Sequence, residues 1–208
     1  MNSKTSVVIF LGALMATYLP AVFAQTCTNK RAPSAPTESY TLVEEDGRIV
    51  IDNKRGNIWM RCALGQEWDG KSCVGEPKMY TWEEVHQLAE KYNQEKFAGH
   101  DHWRVPYLPE LATLTEWNCR NPSLNEEVFV GAPAVFFWSA MPWVDLENKR
   151  ILEGEAYGLD FASGGQRRDK TSALGAVRLM HDGPNGPVWK FPFAIEGIPS
   201  MKAPLAGK

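Results

Sequence analysis

The 208-residue chain has only four cysteines and four histidines, and neither set is spaced for metal or thiol chemistry. No two cysteines show the CxxC spacing of a zinc or redox site. No GxSxG elbow exposes a serine nucleophile. Neighbouring carboxylates such as Glu83-Glu84 and Glu126-Glu127 diverge on a helix or a strand, so they form no acid/base dyad. Catalytic residues, a cofactor and a metal are therefore not expected, and the chain reads as a non-enzyme. A surplus of one charge is also missing. The 22 Lys plus Arg stand against 25 Asp plus Glu, a formal charge of −3, too near neutral for a chain that tracks a nucleic-acid backbone. After residue 24 no apolar run is long enough to span a bilayer.

What is present points outside the cytoplasm. Lys4 precedes the apolar run Val7 to Leu19, and Val22-Phe23-Ala24 places small residues at a cleavage site. This reads as a signal peptide cut after Ala24, giving a periplasmic or secreted product with no membrane span. An even number of cysteines in an exported chain favours two disulfides. Three pairings are open. The short Gly-containing stretch between Cys62 and Cys73 can fold back as a hairpin, which leaves Cys27 to reach Cys119, and this is the expected set.

Apolar residues make up 44% of the chain and aromatics 11%, including eight Trp, a composition compatible with a packed core. The expected layout is a leader (1–24), a polar linker (25–40) with Pro33 and Pro36, a domain (41–182), and a tail (183–208) holding five prolines. Thr41 to Val43, Arg48 to Asp52 and Asn57 to Arg61 read as a meander of short strands. Thr81-Trp82-Glu83-Glu84 has the capping-box form, and Val85, Leu88, Ala89 and Tyr92 follow at helical spacing, so a helix is expected through about Glu95. A second helix is expected from Leu108 to near Cys119, presenting Leu111, Leu114 and Trp117. Runs at Val135 to Ala140, Ala156 to Phe161 and Ala176 to Met180 read as further strands. Two helices among many short strands imply an α+β fold. In the tail, Trp189, Phe191, Phe193 and Ile195 alternate at period two, as in an edge segment folded on its own domain or a strand that augments a partner's sheet.

Gly65 to Ser72 spells the phosphate-loop pattern GxxxxGK[ST]. Cys73-Val74-Gly75-Glu76-Pro77 follows it and is a poor helix start, so no helix N-terminus would face a phosphate and no nucleotide is expected. His100-Asp101-His102 reads as a turn, with no distant histidine cluster to complete a metal site.

The run Trp59-Met60-Arg61-Cys62-Ala63-Leu64-Gly65-Gln66-Glu67-Trp68-Asp69-Gly70-Lys71-Ser72-Cys73-Val74-Gly75 resembles the signature of the Lcl C-terminal-like family, a bacterial extracytoplasmic domain named for the end of a collagen-like adhesin. Tyr80-Thr81-Trp82, Trp103-Arg104-Val105-Pro106 with Glu110-Leu111, Phe137-Trp138-Ser139-Ala140 and Val177-Arg178-Leu179 follow in family order. Here His102 stands where the family usually has Asp, and Tyr107 stands where it usually has a capping Thr. The resemblance implies a C-type-lectin-like fold and, from the adhesin, a trimeric module that binds sulfated glycosaminoglycans, so a homo-oligomer is one expected arrangement.

Within those blocks Trp59, Trp68, Trp82, Trp103 and Trp138 read as architecture, since each can bury about 150–250 Å². Arg104 and Glu110 read as an internal ion pair. Trp143, beside Pro142 in an expected loop, is the aromatic best placed to stack on a ligand. Arg167, Arg168 and Lys170, in another expected loop, are the densest basic group and could clasp sulfate or carboxylate. The expectation is a module that binds a glycan or an envelope protein. Two alternatives are an enzyme related to lectin-like sulfatase-modifying oxidases, which need free cysteines, and a structural envelope component docked by its tail.

Overall fold

The computed structural model describes residues 24–184 and 186, except 44, 45, 146 and 149. The expected leader and nearly all of the expected tail lie outside those residues. The fold is α+β with mostly antiparallel strands and two disulfides.

The meander is present as β2 (Tyr40–Leu42), β3 (Ile49–Asp52) and β4 (Ile58–Met60). Each consecutive pair is antiparallel, with Thr41 opposite Ile51 and Val50 opposite Trp59. The last described strand, β11 (Met180–His181), closes this sheet by pairing with β4, Met180 opposite Trp59. The expected strand at Ala176 to Met180 is only partly regular. Met180 lies in the ladder, while Gly175 and Ala176 make single bridges to Tyr80 and Phe137.

Helix α1 (Trp82–Gln94) starts where the capping box puts it. The Thr81 N–H and hydroxyl both donate to Glu84 Oε2, at 2.7 and 2.9 Å, while the first helical N–H, that of Trp82, donates to the distant Thr171 carbonyl at 2.9 Å. Val85 and Ala89 are buried, with Leu88 and Tyr92 packed beside them. Helix α2 is much shorter than expected, Leu108–Leu111 followed by one 3₁₀ turn to Leu114. Leu111 and Leu114 are buried, but Trp117 is exposed. Tertiary bonds override the pattern. Thr115 turns extended to bridge Leu124, and Glu116 is drawn inward, accepting from the N–H groups of Ala35 and Asn118.

A second sheet holds β8 (Phe136–Asp145), β9 (Arg150–Asp160) and β10 (Gly165–Lys170), in the order β10-β9-β8. Alternation along β8 feeds two cores. Phe137 joins Leu159 and Phe161 on one face, while Phe136, Trp138 and Ala140 join Ala156 on the other. A Cβ on Gly158 would lie 2.3 Å from the Phe137 carbonyl oxygen, so glycine lets these strands close. Trp59, Trp103 and Trp138 are fully or almost fully buried, as architecture requires.

β8 runs through Pro142 and Trp143, at a register shift, so Trp143 is on a strand and not in a loop. Arg167, Arg168 and Lys170 are likewise in β10, paired with Gly158, Tyr157 and Glu155. Their charges read as a loop, but an edge strand tolerates charge on every residue because its outer side faces water.

Two small two-stranded clips complete the fold. β5 (Glu67–Trp68) pairs with β6 (Cys73–Val74) inside the Cys62–Cys73 bond, so the phosphate-loop lookalike is a hairpin with no helix after it. β1 (Thr26–Cys27) pairs with β7 (Cys119–Arg120) across the Cys27–Cys119 bond. The expected linker is bound to the domain. Ala35 is buried, the Ser34 hydroxyl donates to the Thr115 carbonyl, and Asn125 Nδ2 donates to the Ala35 carbonyl. Among the described residues no helix is long and apolar enough to cross a membrane.

Candidate functional site: a cationic, aromatic cleft

Strand alternation separates the basic residues that the sequence groups together. Arg168 lies over the Trp143 ring at 3.8 Å and donates through Nε to Glu155 at 2.8 Å, with Lys170 opposite Glu155 on the neighbouring strand. Arg167 points to the opposite face, over Phe136 at 4.2 Å and beside Asp169 at 3.3 Å. The Trp143 ring and the Arg168 guanidinium therefore satisfy one another, and Arg167 contributes nothing to that surface.

Arg104 and Glu110 form the expected internal pair, bidentate at 2.7 and 2.8 Å. Asp182, which the sequence did not suggest, completes a triad, bonded to Arg104 Nε at 2.8 Å. Burial alone would lower the Arg104 pKa, but the bonds to Glu110 and Asp182 outweigh it and hold the pKa above the usual arginine value.

The concave surface lies elsewhere. Two adjoining hollows of about 310 and 580 Å³ meet at Arg48 and Trp68. Gln66, Tyr92 and Phe97 line the first, and Arg61 and Asp46 the second. Each side chain is set by its element. Arg48 follows the Asp46-Gly47 turn into β3, Arg61 leaves β4, and Trp68 is carried on β5 inside the Cys62–Cys73 closure. Gly47 is required here, since a Cβ would come within 2.4 Å of the Trp68 indole nitrogen. The Arg61 guanidinium lies 3.9 Å from the Trp68 ring centre and is aimed by bonds to the Val128 and Gly47 carbonyls, at 2.7 and 2.9 Å. Arg48 lies over Phe97 at 4.6 Å and is held by Asp46 through Nε at 2.7 Å. That bond raises the Arg48 pKa and lowers the Asp46 pKa.

Arg178 lies behind the cleft. It is fully buried, bonds through Nη1 to the Met60 carbonyl at 2.7 Å and to the Arg61 carbonyl, and lies over the Phe129 ring at 4.8 Å. Burial, and then the like charge of Arg61, push its pKa down to about 9. Planar cations on an aromatic floor can stack a sugar ring, and the nitrogens that Arg48 and Arg61 do not spend on Asp46 and the Val128 and Gly47 carbonyls can donate to a carboxylate or sulfate. The sequence reading missed Arg48 and Arg61 and took Trp68 for architecture. Arg61 and Trp68 stand in the one signature run, but nothing in the sequence marks them as a site or ties Arg48 to them.

The structure also brings His181 to the His100-Asp101-His102 turn, with ring centres 5.3 Å from His100 and 6.5 Å from His102. The fold thus sets one distant histidine beside the turn, and among the described residues no group of three or more His, Cys, Asp or Glu could hold a metal ion. His181 Nδ1 accepts the Gly183 N–H at 2.8 Å. Burial first, then the charge of His100, lowers the His181 pKa; Asp182 and Asp101 pull upward and His102 adds to the lowering. A histidine with a depressed folded pKa stabilises the fold above its unfolded value, near 6.5, and that contribution is lost as pH falls through the lowered value. The midpoint of thermal unfolding is expected to drop from neutral pH to about pH 5. His181→Asn keeps an acceptor for Gly183 and should flatten the slope, and an unchanged slope in that variant would remove His181 from the explanation.

The family profile described as the Lcl C-terminal domain matches residues 48–181. No curated protein and no solved structure matches the chain.

Proposed function

We propose that this chain, which belongs to the Lcl C-terminal domain family, is an exported, non-enzymatic binding module that holds an acidic glycan in the cleft of Arg48, Arg61 and Trp68. The carrying observation is the Arg61 guanidinium fixed 3.9 Å above Trp68 by two backbone carbonyls. A preorganised cation loses little freedom on meeting an anion. The ring beside it offers a face to the apolar side of a sugar. Two further readings support this one. The α+β elements and terminal clips suit a C-type-lectin-like arrangement, and two disulfides suit an oxidising compartment.

Heparin chromatography tests the cleft. The protein should be retained at low salt and elute in a salt gradient, because such contacts are screened. R48Q/W68A should elute several-fold earlier in salt, whereas R167Q should elute with the parent protein, since Arg167 lies outside the cleft. Flow-through of the parent protein at low salt would defeat the acidic-glycan reading.

A further inference from the structure

Trp117 is the one described tryptophan in the exposed class, at 51%. Its backbone is tied down while its ring is not. The Trp117 N–H donates to the Ser34 hydroxyl at 2.8 Å, and its carbonyl accepts from Arg120 Nη1 at 3.5 Å. The acid of this loop, Glu116, is buried and bonded inward to Ala35 and Asn118. Three exposed cations, Lys30, Arg31 and Arg120, stand on the segments joined to this loop; Arg120 Nη1 donates to the Cys119 carbonyl at 2.9 Å, and among the described residues none of the three is in an ion pair.

Backbone bonds bring them to one end of the fold. Thr26 is opposite Arg120 in the β1–β7 clip, the Thr28 N–H donates to the Asn118 carbonyl at 2.8 Å, and Asn118 Nδ2 donates to the Arg31 carbonyl at 2.9 Å. None of these residues lines the cleft.

We propose that Trp117, Lys30, Arg31 and Arg120 form a docking surface for an anionic phospholipid bilayer. An indole settles at the headgroup level, where its body is apolar and its N–H can stay wet. Unpaired cations beside it are drawn to the negative surface potential, each by about 1 kcal/mol, or roughly fivefold in partitioning. The chain as a whole is acidic, so only a local patch of this kind could hold it on such a surface, and it would orient the opposite parts of the molecule outward. A bilayer suits a half-exposed indole that lines no hollow, whereas a sugar ring is gripped in a hollow.

The test is sedimentation of the protein, purified from the cells that produce it, with phosphatidylcholine vesicles and with mixed phosphatidylcholine–phosphatidylglycerol vesicles. Partitioning is expected to be at least tenfold stronger on the anionic vesicles and to weaken with salt. K30Q/R31Q/R120Q should lose roughly a hundredfold, at about fivefold per cation, and W117A several-fold, both with unchanged near-UV circular dichroism. R48Q/W68A should bind vesicles like the parent protein, which separates this surface from the cleft. Equal binding to neutral vesicles, or unchanged binding by K30Q/R31Q/R120Q, would overturn the proposal. Insertion of an uncleaved apolar leader would give both of those results.

Discussion

Arg104→Met is expected to destabilise the protein by about 3–5 kcal/mol, the range for breaking a buried ion pair from one side. The Glu110 side chain is 2% exposed. Its oxygens accept from Arg104 Nη1 and Nη2 and from the Tyr107 N–H at the start of α2. Without the guanidinium, a carboxylate remains in a space shaped to exclude water, and Asp182 loses its tie to the same cation. The effect should appear as a lower denaturant midpoint with an unchanged slope. Adding Glu110→Gln to Arg104→Met should recover part of the loss, because most of the cost is the orphaned charge. If the double variant is as unstable as the sum of the two single ones, the pair is not coupled and the account fails.

Cys27→Ser/Cys119→Ser is expected to cost about 2–5 kcal/mol. The bond joins residues 92 apart in sequence, so its loss returns a large closed loop to the unfolded ensemble. The folded state loses local order too. Both residues of β1 are exposed, and Ala35 approaches Glu116 along the segment that the bond anchors. Gln25 Nε2, donating to the Pro122 and Leu124 carbonyls at 2.8 and 2.7 Å, should keep that segment partly in place. Thermal unfolding measures the loss. Thiol titration of the parent protein under denaturing, non-reducing conditions should find no free thiol, in keeping with four paired sulfurs. Two free thiols would make the Cys27–Cys119 prediction empty and revive the oxidase alternative.

What could be read early was local. The α1 start follows from Thr81 and Glu84, three residues apart. The meander follows from the Asp46-Gly47 turn and Gly56 between apolar runs. Reading Trp59, Trp103 and Trp138 as core needed only their size. The end of α2, the strand at Trp143 and the strand at Arg167-Arg168 differ from what nearby residues imply, because each is decided by distant ones. Leu124 draws Thr115 out of the helix, and β9 holds β8 on one side and β10 on the other. A run of charges has no sidedness until a partner strand gives it one. Arg167 and Arg168 then face opposite ways.

From its residues alone this chain was committed to α1, to a first meander, to an α+β class and, through the order of its blocks, to its family, because those outcomes depend on contacts between near neighbours or on motifs kept in sequence. The cleft, the Asp182 arm of the Arg104 triad, the third histidine and the Trp117 surface belong to the tertiary structure. Each joins segments tens of residues apart, and only the closing of the sheets and the two disulfides sets their distances. Side-chain chemistry was legible in the sequence, but which groups would meet was not, since that is settled by the packing of the whole chain.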